Sequence, residues 1–169
     1  MLRHRLLILP FLLLIGFVLS MTSCEDTTFS SSVPRVRVYV HIDRRMGAFV
    51  TFTPEATYSY VTATREGYFL NGQMVIPSPD TDYFGYGGVV VYVTMMNEYK
   101  AFDMACPHCA ARGTRQTCQV NSMSAVCPNC GEEYQLWSGT GIPTKGITRE
   151  PLLQLPITVT QDKILVRQQ

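Results

Sequence analysis

The residues of this 169-residue chain that are most suited to chemistry are cysteines, and five of the six lie between Ala105 and Gly131. Four of the five form two C-x-x-C elements, Cys106–Cys109 and Cys127–Cys130. Each such turn brings two sulfurs within reach of one centre, so two turns supply the four ligands of a thiolate metal site. The paired spacing therefore predicts a metal site, whereas Cys118 lies between the pairs and fits neither.

The chemistry of these elements has more than one interpretation. Zinc in a tetrahedral site of four cysteines is one, and Gly131 supports it because the residue after the second cysteine of such a turn often needs a left-handed backbone. Disulfides are another, since a C-x-x-C element can close on itself in an oxidising compartment. Two proline-containing elements would then be a coincidence.

A third interpretation comes from the residues beside the cysteines. Cys106-x-His108, followed by Cys127-x-x-Cys130-Gly131, resembles the pattern of Rieske proteins, which have C-x-H in one loop and C-x-x-H-G in the other. The resemblance extends over residues 87–167, from the strand before the first loop to the strand that returns after the second. It implies an antiparallel β-sandwich with two metal-binding loops, a 2Fe-2S cluster, and electron carriage for a redox partner that the sequence does not identify.

The ligand set departs from the family pattern at Cys130, which stands where the family has its second histidine. By position, the resemblance implies that Cys106 and Cys127 hold the inner iron and that His108 and Cys130 hold the outer one. Thiolate binds iron at least as well as imidazole, so this is a sound ligand set. Cys109 is the alternative to His108, which would give four cysteines, and a fold that has lost its cluster is a further alternative.

The segments that position these loops have the patterns of β-strands. Residues 35–42 alternate strictly between apolar and other side chains, which is typical of a half-buried strand. Further strands are predicted at residues 48–53, 58–62, 67–72, 87–96, 99–104, 152–159 and 163–166, with turns at Asn97-Glu98 and Gln161-Asp162. No stretch keeps a helical period. The fold class is therefore all-β, with loops predicted at residues 105–115 and 139–150.

The first residues predict export and anchoring. After a basic start, residues 6–19 are apolar but shorter than the roughly 20 residues of a spanning helix, and Met21-Thr-Ser-Cys24 resembles the bacterial lipobox. In a lipobox, cleavage before the cysteine is followed by its lipidation, so Cys24 would anchor the protein to a membrane of the bacterial cell envelope. The alternative is a soluble secreted protein with a free Cys24. We expect a signal peptide over residues 1–23, a tether over 24–33 and a β domain over 34–169.

Composition excludes several classes of function. Fourteen Lys and Arg residues balance thirteen Asp and Glu residues, and no basic run indicates nucleic acid. No Ser/His/Asp combination, phosphate-binding glycine loop or carboxylate pair is evident, so catalysis by this chain alone is not expected. The predicted role is an envelope-anchored electron carrier, as a component of an oxidoreductase system. The alternative is a non-redox envelope protein in which zinc, disulfides or nothing occupies the loops.

Overall fold

The computed structural model describes residues 31–169, which consist mostly of short β-strands. The strands are β1 (Val38–Asp43), β2 (Tyr60–Ala63), β3 (Gly67–Leu70), β4 (Gln73–Pro77), β5 (Tyr83–Phe84), β6 (Val89–Val93), β7 (Tyr99–Asp103), β8 (Gln119–Asn121), β9 (Ser124–Val126), β10 (Glu133–Gln135), β11 (Pro143–Lys145), β12 (Gln154–Leu155), β13 (Ile157–Val159) and β14 (Lys163–Gln168). The helical residues are a 3-10 helix at Gly47–Thr51 and one turn of α-helix, α1, at Pro107–Ala110. The strand pairs are antiparallel, and the predicted all-β class is confirmed.

The strands form three sheets in three layers. A six-stranded sheet has the order β12-β7-β6-β2-β3-β4, and two four-stranded sheets have the orders β13-β14-β1-β5 and β11-β10-β9-β8. Strand β6 is buried along its whole length because its alternate residues enter two different cores. Val89 and Val91 pack in the core shared with β1 and β14, whereas Val90 and Tyr92 pack in the core that contains the cysteines. The six-stranded sheet therefore lies between the other two.

The predicted strand at residues 48–53 is wrong, because this segment contains the 3-10 helix. Phe49 and Phe52 are both buried, whereas Val50 between them is exposed. A spacing of three residues places the two phenylalanine rings on the same side of a 3-10 helix. The apolar residues of this segment thus follow a period of three and not the period of two that a strand would need.

Two further differences concern the second half of the chain. The single strand predicted at residues 152–159 is divided by Pro156, and its two parts, β12 and β13, belong to different sheets. Proline has no N–H for a sheet ladder, so the chain leaves one sheet and enters the other at this residue. In addition, the sequence does not predict the small sheet of β8 to β11, and residues 139–150, predicted as a loop, include β11.

The described chain is attached to the domain from its first residues. Val33 is buried in the larger core, and Ser31 Oγ and the Ser32 backbone N–H both donate to the Glu150 carboxylate, at 2.9 and 2.6 Å. The predicted signal peptide and Cys24 lie outside the described residues. Within residues 31–169, no helix is long and apolar enough to cross a membrane.

Candidate metal centre

The two C-x-x-C elements lie in turns at strand ends. Cys106–Cys109 follows β7 and includes α1, and Cys127–Cys130 connects β9 to β10. Pro107 occupies the first position of α1, where its missing N–H and fixed φ are tolerated. Gly131 has a φ of 72°, and its N–H donates to the Cys127 carbonyl at 2.9 Å. The left-handed backbone expected at this glycine is therefore present, and it closes the second turn.

These turns bring four sulfurs into one group. The Sγ atoms of Cys106, Cys109, Cys127 and Cys130 all lie within 4.8 Å of one another. The Cys106 and Cys130 sulfurs are 3.6 Å apart, and the Cys109 and Cys127 sulfurs are 3.7 Å apart. A disulfide bond needs a sulfur separation of about 2.0 Å, and the five cysteines of the described residues are free. The arrangement is that of ligands around a metal and not that of paired disulfides.

His108 is not part of this group. The third residue of a C-x-x-C turn points away from the side that its first and fourth residues share, because positions three apart lie on one face of a helical turn. Both ring nitrogens of His108 are buried without a hydrogen-bond partner. Of the two ligand sets considered from the sequence, the structure gathers the four cysteines and leaves His108 outside.

Hydrogen-bond donors surround the sulfurs. The Tyr134 hydroxyl is 3.4 Å from Cys106 Sγ, and the Asn129 side-chain amide donates to Cys109 Sγ at 3.5 Å. Burial raises the pKa of Tyr134, which keeps its hydroxyl protonated and able to donate to a thiolate. These groups stabilise negative charge on sulfur, as a thiolate centre requires.

Burial and backbone N–H groups act in opposite directions on the thiols. Burial raises the pKa of Cys106 and also that of Cys130. At Cys127 burial acts in the same direction, but the backbone N–H groups of Cys130 and Asn129, together with the thiols of Cys130 and Cys106, outweigh it, so the pKa of this thiol is lowered. The surroundings of the second turn therefore make the Cys127 thiol easier to deprotonate than the other two.

The fifth cysteine of the region, Cys118, belongs to the core around the centre. It is 1% exposed, its N–H donates to the Met104 carbonyl at 2.7 Å, and burial raises the pKa of its thiol. It is not one of the four grouped ligand atoms. It packs in this core as a small apolar side chain, as is typical of a buried free cysteine.

A buried carboxylate fixes the entry to the first turn, and sequence reasoning missed it. Asp103, the last residue of β7, accepts hydrogen bonds from the backbone N–H groups of Tyr86, Gly87 and Ala105 at 2.7 to 2.8 Å. Burial raises the pKa of Asp103, and the three donors oppose this effect. The only sequence signal is an acidic residue that ends an apolar strand directly before the cysteines.

A second buried carboxylate holds the segment beside the second turn. Glu132 is 2% exposed and accepts hydrogen bonds from the N–H groups of Ile147 at 2.7 Å and Thr148 at 3.3 Å. A side chain at Gly146 would overlap this carboxylate, so glycine is needed there. Because the Glu132 carbonyl also accepts from the Cys127 N–H at 2.9 Å, this residue connects the segment to the metal-binding turn.

Fold and site together define an all-β protein with four thiols arranged to bind a metal. No protein-family model and no curated protein matches the sequence significantly.

Solved structures that resemble the chain include ferredoxins and a Rieske monooxygenase. The ferredoxin of Sphingomonas yanoikuyae B1 is 12% identical, with a TM-score of 0.40 over 80% of this chain and 100% of that one. A chain of the complex of oxygenase and ferredoxin in carbazole 1,9a-dioxygenase is 12% identical, with a TM-score of 0.43. The match covers 78% of this chain and 94% of that one. The quaternary ammonium Rieske monooxygenase CntA is 12% identical, with a TM-score of 0.46. The match covers 78% of this chain and 31% of the monooxygenase chain. The resemblance is one of fold, whereas the ligand set rests on the sulfur positions in this chain.

Proposed function

We propose that this protein is an electron carrier in which Cys106, Cys109, Cys127 and Cys130 hold iron. The observation that carries the proposal is the grouping of the four sulfurs, all within 4.8 Å of one another. Tetrahedral sulfur sites in proteins hold zinc or iron. Four thiolates leave no open position for a substrate, so the two roles left are electron carriage and structural support.

The exposure of the ligands favours electron carriage. Cys106, Cys109 and Cys127 are at most 3% exposed, whereas Cys130 is half-buried beside the exposed residues Pro128 and Asn129. The centre thus has one edge near the surface, where a protein that donates or accepts one electron can approach. Iron held there supplies one-electron oxidation and reduction. Since no imidazole is among the four ligands, the transfer requires no proton from a ligand.

Structural zinc is the second candidate. The observation that favours it is the closed set of four thiolates, three of them inside a hydrophobic core. Zinc in such a site has no redox chemistry and would act as a cross-link between the two turns. The ligands are the same four cysteines, so metal identity separates the two functions.

The test of electron carriage is reversible reduction, and a substitution at Tyr134 should shift the reduction potential without removing a ligand. We expect the iron-loaded protein to accept one electron reversibly in voltammetry. Tyr134→Phe removes the hydroxyl near Cys106 Sγ, and because that donor favours the more negative, reduced state, its loss should lower the potential. For a hydrogen bond of about 1 kcal/mol the decrease is about 40 mV.

Tyr92→Phe is the matched control, because the Tyr92 hydroxyl is also in the core but donates to the Ser122 carbonyl at 3.1 Å. Its potential should equal that of the unaltered protein. A colourless protein that is loaded with zinc and shows no redox wave would refute electron carriage and establish the structural role.

We further propose that the protein acts in the bacterial cell envelope, held to a membrane by lipid on Cys24. The proposal is supported by the sequence alone, through the short apolar run and Met21-Thr-Ser-Cys24. Multiple acylation holds a protein at a membrane far more firmly than one chain does. The electron partners would then be envelope proteins that exchange single electrons.

Cys24→Ser should prevent lipidation and move the protein from the membrane fraction to the soluble fraction. Metabolic labelling with a fatty acid and fractionation of the producing cells measure the two effects. Cys118→Ser, the same chemical change at a core cysteine, should remain labelled and membrane-bound. Anchoring through Cys24 is excluded if the unaltered protein takes up no label and the variant fractionates as before.

A further inference from the structure

We infer that the centre holds a single tetrahedrally coordinated ion of a thiolate-binding metal, and not the two-iron cluster that the Rieske resemblance implies. The inference concerns the number of metal ions. It rests on the four cysteine ligands of the proposed function but does not depend on whether the ion carries electrons.

The sulfur separations fit one ion. Four thiolates that each lie about 2.3 Å from one tetrahedral ion are about 3.8 Å from one another. The separations of 3.6 Å between Cys106 and Cys130 and 3.7 Å between Cys109 and Cys127 are close to this value. The remaining pairs do not exceed 4.8 Å. All four sulfurs therefore surround a common centre that one ion can occupy.

The same separations do not fit a two-iron cluster. Such a cluster has two irons joined by two bridging sulfides, and each iron takes two protein ligands on its outer side. Ligands of different irons are consequently separated by the whole length of the cluster. Since no pair of sulfurs here is more than 4.8 Å apart, no division of the four cysteines into two pairs leaves room for the bridging sulfides.

Backbone hydrogen bonds hold each turn in its own conformation. In the first turn, the Cys106 N–H donates to the Gln116 carbonyl at 2.8 Å, and the Ala110 N–H donates to the Cys106 carbonyl at 2.9 Å. In the second turn, the Cys127 N–H donates to the Glu132 carbonyl, also at 2.9 Å. Each turn thus presents its two cysteines from a hydrogen-bonded backbone.

The position of His108 agrees with this inference. The two-iron arrangement implied by the family pattern would need His108 as an outer ligand, but its ring nitrogens are buried without a partner and are outside the sulfur group. With Cys109 in its place, both turns contribute their first and fourth residues. This is the ligand pattern of tetrahedral thiolate sites for one ion.

The experiment measures metal and acid-labile sulfide in protein purified without oxygen from cells supplied with iron and zinc. We expect one metal ion per chain and no labile sulfide. One equivalent of Co²⁺ added to metal-free protein should saturate the site, with the visible bands of tetrahedral cobalt thiolate. Cys118→Ser should give the same ratio, because its sulfur is outside the ligand group.

The outcomes separate this inference from the proposed function. One zinc per chain without redox activity upholds the single ion and refutes electron carriage. One iron per chain with a reversible one-electron wave upholds both. Two irons and two sulfides per chain with a reversible wave overturn the single ion and uphold electron carriage. Metal-free protein with disulfides in place of the thiols overturns both.

Discussion

Cys109→Ser should abolish stable metal binding, whereas His108→Ala should leave it unchanged. The sulfur of Cys109 lies 3.7 Å from that of Cys127 inside the ligand group, and a serine hydroxyl is a poor replacement for a thiolate. Loss of an outer-shell partner alone weakens metal affinity by up to about 100-fold, so loss of a ligand should exceed that figure. Competition with a chromophoric chelator measures the affinity of each variant.

His108→Ala and Cys118→Ser are the controls, since one removes the neighbouring imidazole and the other removes a buried thiol outside the group. Both should keep the affinity and the spectrum of the unaltered protein. If His108→Ala loses the metal and Cys109→Ser keeps it, the set of three cysteines and His108 is the correct one. Retention of metal by Cys109→Ser alone would already contradict the four-cysteine centre.

Asp103→Ala should destabilise the domain by about 3 kcal/mol or more. The substitution leaves three buried backbone N–H groups without an acceptor, and each such group costs about 1–3 kcal/mol. Because one of the three belongs to Ala105, the residue before the first cysteine, metal affinity should fall as well. Urea unfolding followed by fluorescence, with and without metal, measures both effects.

Asp80→Ala provides the control, since Asp80 is an exposed acidic residue whose loss should change stability by less than about 0.5 kcal/mol. Equal unfolding midpoints for the two variants would show that Asp103 does not hold the first turn. A large loss of stability without any loss of metal affinity would limit the role of Asp103 to the segment of Tyr86 and Gly87, which connects β5 to β6.

The strands that the sequence predicts well are those whose side chains follow a simple pattern. The alternation of residues 35–42 corresponds to β1, where Val38, Val40 and Ile42 are buried and His41 is exposed. The continuous apolar run around β6 reflects burial on both faces, which removes alternation from a strand. Prediction and structure agree for these two strands because each keeps one pattern of burial from end to end, alternating in β1 and continuous in β6.

The strands β8 to β11 could not be predicted because each is only three residues long. A strand of this length has one inward position, such as Ala125 in β9 or Tyr134 in β10, so it shows no period. These strands form only because they pair with one another and cover the outer face of the six-stranded sheet. That information lies in tertiary contacts and not in the local sequence.

The spacing of the cysteines identifies the region of the site, but it does not choose between His108 and Cys109. The choice depends on which side chains of the turn point the same way. Because α1 is helical, residues 106 and 109, three apart, lie on one side of it. Asp103 and Glu132 are missed for a different reason. An acidic residue normally faces solvent, and only the folded chain shows that backbone N–H groups surround these two carboxylates.

The pairing of β1 with β14 affects the order in which parts of the domain can fold. Val38 lies opposite Gln168 and Ile42 opposite Ile164, so the larger core includes residues from both ends of the described chain. Contacts of such long sequence separation form late and slowly. The cysteine turns are separated by one short hairpin, β8 and β9, so they can meet without the pairing of β1 with β14. Metal capture can therefore precede closure of the larger core, and truncation within residues 163–168 would leave that core open while the thiols are still able to assemble.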